Sequence, residues 1–200
     1  MSKVADNKQQ KLEALYTSAF KLFLTKGFTK TSISDIVDNA NVAKGTFYLY
    51  FKDKEDIRDR LIAKTSASLF LEAIDQLSHK NISNIEDRII FIVDYALNYM
   101  QTHKDILRFI SKNLSWGIFK HALTTNIDEP NSSLQIYHRL LNENKDVHLN
   151  APDIMLFMII ELTSSACYST ILDNDPIPFE QLKPYLYQTI KAIIQNHLQA

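Results

Sequence analysis

An all-α protein is the fold class this chain predicts, and three observations carry the expectation. Only three glycines occur in 200 residues, which leaves few of the punctuation points a turn-rich β fold needs. Apolar side chains recur at spacings of three and four over long stretches instead of alternating. The interruptions carry helix start and stop chemistry: Gly27, Ser32 followed by Asp35, Pro130, Pro152 and the Asp173-Asn174-Asp175-Pro176 cluster. With 46% hydrophobic residues the chain can bury a substantial core, as one domain or as a small head on a larger body.

Residues 1–7 read as a frayed polar tail. From about Lys8 to Lys26, Leu12, Leu15, Tyr16, Ala19, Phe20 and Phe23 form one apolar stripe, and Gly27 stops that helix as its C′ residue. Ser32 with Asp35 three residues on fits a capping-box start, Asp standing in for Glu. The second helix runs to about Ala40 and buries Ile33, Ile36, Val37 and Ala40; after the Asn41-Val42 break a third covers about Lys44 to Tyr50. A fourth, from near Asp53 to Leu77, is long enough to join a head to the rest of the chain. Ser83 is expected to cap the next, which carries Ile89, Ile92, Val93, Ala96, Tyr99 and Met100. Shorter helices are expected at about 105–111, 115–124 and 132–143, with a loop at Asn126 to Ser132. Pro152 suits the first turn of a helix reaching about Leu172. The last helix starts near Phe179, with Leu182, Leu186, Ile190, Ile193 and His197 on its stripe.

Formal charge is −1, without the basic excess of a histone-like binder. The first 56 residues hold nine Lys against seven Asp or Glu, a mild bias toward a basic head. The single Cys167 excludes a disulfide framework and a Cys-based zinc site. The N-terminus lacks the apolar core of a signal peptide, and the longest apolar run, Ile154 to Ile160, is too short to span a bilayer. A soluble cytoplasmic protein is expected.

Residues 31–56, TSISDIVDNANVAKGTFYLYFKDKED, carry the clearest indication of a partner. Two short helices flank a tight break, as in a helix-turn-helix whose second helix lies in the major groove of DNA. At 100° per residue, Phe47 and Phe51 share one side and fill a small core. Gly45 and Leu49 fall opposite, with Lys44 and Tyr48 on a flank. Gly45 allows close approach of the backbone, Leu49 suits a thymine methyl, and Lys44 and Tyr48 reach phosphates or base edges. Thr46, near the helix N-terminus, and Thr31 with Ser32 are small donors suited to phosphate oxygens. Lys52 and Lys54 add backbone neutralisation. Taken singly, Ser32 is equally well a plain cap and the lysines plain solvated charges; their arrangement within one short segment lifts them above that.

From Gly27 to Asp56 the chain resembles the DNA-binding signature of the TetR family of bacterial transcription regulators, above all in Gly-Thr-Phe-Tyr-x-Tyr-Phe-Lys-x-Lys. The resemblance covers roughly the first quarter of the chain. It implies a homodimer in which an N-terminal three-helix head, residues 1–52, binds double-stranded DNA. A larger helical body, residues 53–200, would bind a small, largely apolar effector and pair through its two C-terminal helices, about 153–172 and 179–198. Carried over by position, Thr31 and Ser32 would contact phosphate, and Lys44, Gly45, Thr46, Tyr48, Leu49 and Tyr50 would supply the recognition contacts. Lys54 would grip the backbone. Tyr50 stands where many members have His, and Leu49 where a polar or aromatic residue is common.

In the body, Tyr95, Tyr99, Phe109, Trp116, Phe119 and Tyr168 are expected to line an effector cavity, although aromatic stripes are more often plain core. His103, His121, His138 and His148 show no metal-ligand spacing, so no metal or other cofactor is expected. Arg108 and Arg139 are read as surface salt-bridge partners, with pairing to an anionic effector as the alternative. Ile154 to Ile160 is apolar on every side and Thr163 to Ala166 is small, which suits close pairing of helices. The role expected is a ligand-released repressor and not an enzyme. Two alternatives stay open: an architectural DNA binder without an effector, and an enzyme using Cys167 as nucleophile, which needs a histidine and a carboxylate beside it.

Overall fold

A computed structural model describes residues 3–111, 140–141 and 148–198. Among them the chain forms α1 (Lys3–Thr25), α2 (Ile33–Ala40), α3 (Lys44–Tyr48), α4 (Lys54–Ser78), α5 (Ile85–Thr102), α6 (Lys104–Ser111), α7 (Pro152–Asp173) and α8 (Phe179–His197). Leu149 and Leu198 form one isolated antiparallel bridge. The helices expected at 115–124 and 132–143 and the loop at Asn126 to Ser132 lie outside the described residues, except that residues 140–141 are helical. The chain divides into two compact units, Met1–Ile62 and Ala63–Ala200. The boundary expected from the sequence lies at 52/53, before α4; the compact first unit takes in the opening turns of that helix.

In the first unit, α1 begins at Lys3 instead of fraying to residue 7. Nothing in that stretch breaks a helix, and Asp6 in the first turn complements the helix dipole. Leu15, Ala19 and Phe23, spaced by four, are buried. Gly27 adopts φ +84, a left-handed conformation that costs glycine nothing. At the start of α2 the capping box is complete: the Ser32 hydroxyl accepts from the Asp35 N–H at 3.1 Å and the Asp35 carboxylate accepts from the Ser32 N–H at 2.7 Å. Asn41 ends α2 at φ 53, a conformation its short polar side chain tolerates, and the Val42 N–H closes the end on the Val37 carbonyl at 3.0 Å. α2 packs on α1 and on α3.

The second unit is built around α5, α7 and α8, with α6 against α5 and α7. Its core joins Leu97, Leu107, Met155, Ile159, Leu186 and Ile190. α5 is capped by Asn84, whose side chain accepts from the Glu86 N–H at 2.7 Å, not by Ser83: the residue next to the first helical turn holds the extended cap geometry. Asp94 on α5 accepts hydrogen bonds from the Tyr187 hydroxyl and from Asn98 at 2.9 Å, and pairs with Lys183 at 3.2 Å. Burial foremost, and the Asp94 carboxylate after it, push the Tyr187 phenol well above its ordinary range. These contacts fix α8 on α5.

α7 opens with Pro152 as expected and closes on Asn174 at φ 56. Met155, Ile159, Cys167 and Ile171 are buried on one side, while Ile154 is 56% exposed and Phe157 39% exposed on another. Although its longest apolar run is short, the helix as a whole is long and apolar enough to cross a membrane by length and composition, with 28% of that window buried.

Candidate nucleic-acid interface

The head separates α3 into two faces, as the helical wheel predicts. Phe47 is 0% and Phe51 1% exposed. Phe47 meets Phe51 at 5.4 Å between ring centroids, and Phe51 meets Tyr16 edge-on at 5.1 Å. On the solvent side Leu49 is 78% and Tyr48 54% exposed, with Lys44 and Gly45 also exposed and Thr46 half-buried. An apolar side chain so fully in water packs on nothing in the protein, which leaves it free for another surface. α3 is shorter than expected, ending at Tyr48 with Leu49 as its cap, while the Tyr50 and Phe51 N–H groups still reach the Phe47 carbonyl.

Gly45 lies in open space: a Cβ placed there meets no heavy atom within 4 Å. Gly45→Ala is therefore expected to leave the melting temperature unchanged or slightly raised, since Ala favours helix by up to about 1 kcal/mol. If the backbone here approaches DNA closely, the same methyl is expected to weaken binding by about tenfold, a 1.4 kcal/mol effect. Thermal melts beside anisotropy titrations read both; a variant binding like the parent removes the close-approach role.

Three expected contacts are placed differently. Thr31 is 2% exposed, and its hydroxyl donates to the Gly27 carbonyl at 2.8 Å, so it braces the turn and offers no free donor. The Tyr50 hydroxyl donates to the Lys8 carbonyl at 2.9 Å, tying the segment just after α3 to α1. Lys54 turns inward, its Nζ donating to the Phe28 and Thr31 carbonyls, each at 3.0 Å. Their partners lie 4 to 42 residues away in sequence, on other elements or the far side of a turn, where local pattern carries no information. Ser32 is exposed, as expected, but its hydroxyl also serves the capping box.

The residue-by-residue reading also missed the Lys26–Asp35 ion pair at 2.8 Å. The Lys26 ammonium, with the Ser32 N–H and hydroxyl, holds the Asp35 carboxyl well below its ordinary range. The carboxylate therefore keeps capping α2 in mildly acidic solution, and its contribution is lost only as pH falls through the depressed value.

In the second unit a cavity of about 170 Å³ is lined by apolar side chains, among them Leu69 and Ala73 of α4, Val93 and Met100 of α5, and Met155 and Ile159 of α7. Of its polar members, Thr163 and Ser164 donate their hydroxyls to carbonyls one turn back in α7. Of the six aromatic side chains expected to line a cavity, the four described ones are not among those around this one. Tyr95 and Tyr99 border a separate depression with Phe91, Asp94, Asn98 and Thr102, because they sit on a different face of α5 from Ile89, Val93, Ala96 and Met100. Phe109 is buried outside the lining, Tyr168 packs half-buried on the core, and Trp116 and Phe119 lie outside the described residues.

Cys167 also borders the cavity and is 1% exposed. Burial pushes its thiol up to about 12. Since the thiolate is the nucleophile, iodoacetamide at mildly alkaline pH is expected to leave the folded chain unmodified and to label it once denatured. Rapid labelling of the folded chain would restore the case for Cys-based catalysis.

Residues 15–61 match the family model of bacterial regulatory proteins, tetR family. The uncharacterised HTH-type transcriptional regulator YvdT of Bacillus subtilis (strain 168) is 34% identical over 100 residues, 48% of this chain and 49% of its own. The chain thus spans about half the length of that relative. The fatty acid metabolism regulator protein of the same organism is 30% identical over 152 residues, 74% of this chain and 68% of its own. Among solved structures, the fatty acid degradation regulator FadR from Bacillus halodurans shares the fold, with a TM-score of 0.61, 16% identity and coverage of 90% of this chain and 97% of that one.

Proposed function

The chain belongs to the tetR family of bacterial regulatory proteins, and from that premise we propose that it is a repressor that binds a palindromic operator as a homodimer and leaves it on taking up a small, largely apolar effector. The family is one of transcription regulators, not of enzymes. The observation that carries the reading is the solvent face of α3, where Leu49 and Tyr48 stand exposed beside an open Gly45. Lys44 and Tyr48 would reach phosphates or base edges, Leu49 a thymine methyl, and Ser32 the backbone at the start of α2.

Dimerisation is supported by the exposed apolar side chains of the last two helices, Ile154 and Phe157 on α7 and Tyr185 on α8. Pairing of these helices about a two-fold axis would set two copies of α3 against two half-sites. The apolar cavity supports the effector half of the reading. Its volume is close to the roughly 150 Å³ of an apolar cavity that takes up benzene, which suits a compact hydrocarbon group or the end of a chain. The relative that regulates fatty acid metabolism makes an acyl chain the first class to try.

The test offers the full-length protein a pool of random duplexes and sequences what it retains. A two-fold symmetric sequence, bound less tightly as salt rises, is expected. Retention without sequence preference, or insensitive to salt, would overturn the proposal. Addition of a medium-chain fatty acid to the enriched complex then tests release.

A further inference from the structure

We infer that Lys54 is a positioning residue for the DNA-reading head: with Arg58 it clasps the Phe28–Thr31 turn from the start of α4, and so sets where α2 begins. The inference rests on the DNA-reading function proposed above and replaces the phosphate contact expected of this lysine.

Lys54 Nζ donates to the Phe28 carbonyl at 3.0 Å and to the Thr31 carbonyl at 3.0 Å. The same ammonium stands 4.3 Å from the centroid of the Phe28 ring, and the Arg58 guanidinium, one turn along α4, stands 4.7 Å from it. The ring also meets Phe23 of α1 at 5.3 Å. Inside the turn the Thr31 N–H reaches the Phe28 carbonyl at 3.2 Å, and the Thr31 hydroxyl reaches Gly27. Every strand of this clasp converges on the residues just before Ser32, the cap of α2.

An ammonium has three donors and no acceptor. Two of those donors are committed to main-chain carbonyls, in the charge-assisted class of hydrogen bond, and the charge rests against a ring face. To grip a phosphate, Lys54 would have to abandon these partners, taking its donor from the Thr31 carbonyl and leaving the Phe28 carbonyl with the Thr31 N–H alone. Held where it is, it fixes the entry of α2 and with it the Ser32 and Lys26–Asp35 cluster.

Two full-length variants test the clasp. Lys54→Met keeps the aliphatic stem over Phe28 but removes the donors and the charge; Phe28→Leu removes the ring and keeps every charge. In the DNA-free protein both are expected to speed amide hydrogen exchange at Asp35 and Ile36, in the first turn of α2, by about tenfold; unchanged exchange overturns the inference. On a duplex enriched by the parent protein, both are expected to weaken binding with the parent's dependence of affinity on salt. A fall in that slope of about 0.9 per head in Lys54→Met, with Phe28→Leu binding like the parent, would instead make Lys54 a phosphate contact and overturn the clasp. Should Lys54→Met not fold, Phe28→Leu decides alone. Should the parent enrich no duplex, the DNA function falls while the exchange comparison still decides the clasp.

Discussion

Phe47→Ala is expected to unfold the first unit well below the parent's transition. The ring is wholly buried and touches Phe51 and Tyr48 at centroid distances of 5.4 and 5.5 Å. Removing a ring from such a site costs about 3–5 kcal/mol, a large share of the roughly 5–15 kcal/mol that keeps a domain folded. For a unit of this size the loss lowers the midpoint by at least about 12 °C. Leu49→Ala, on the same short helix but 78% exposed, is expected to leave the melt within about 0.5 kcal/mol of the parent and to change only DNA affinity. Calorimetric melts of the two variants check the division. Equal destabilisation would mean that the two faces of α3 are not as distinct as their burial.

The paired substitution Ile154→Glu with Phe157→Glu is expected to make the protein monomeric while leaving each chain folded. Both side chains are exposed in the single chain, so two carboxylates cost that chain little. In a two-fold interface each substitution occurs twice, and a carboxylate buried without a partner costs several kcal/mol. Dissociation should therefore rise on the order of a thousandfold or more, with each 1.4 kcal/mol counting tenfold. Sedimentation at micromolar concentration reads the mass, and circular dichroism reads the fold. A folded species of dimer mass would show that α7 does not pair through this face.

Much of what depends on neighbours a few residues apart was legible before the structure, although the cap of α5 is Asn84 and not the expected Ser83. The Ser32–Asp35 box, the left-handed Gly27 and the division of Phe47 and Phe51 from Gly45 and Leu49 follow from local chemistry and helical period. Most of what escaped depends on partners outside the local pattern, on another element or across a turn. Thr31, Tyr50 and Lys54 look like free polar side chains in sequence, yet each is committed to a main-chain carbonyl within the head. Tyr95, Tyr99, Phe109 and Tyr168, expected around an effector cavity, are not among the side chains that line this one, for a related reason. Size and aromaticity say that a side chain packs somewhere, whereas the face of α5 decides where. Ile89, Val93 and Met100 share the face turned to the cavity, and Tyr95 and Tyr99 do not.

With nine Lys against seven Asp or Glu in the first 56 residues, one head has only a small basic excess for non-specific attraction, and the proposed operator reading therefore calls for two heads held together. The direct measurement is a titration of the enriched duplex and of the same duplex with one half-site scrambled, read by anisotropy with the bound mass determined in parallel. Two chains per intact duplex, and a loss of about a hundredfold or more (roughly 3 kcal/mol) on scrambling one half, are the results this account predicts. One chain per duplex, or equal affinity for both DNAs, would contradict it.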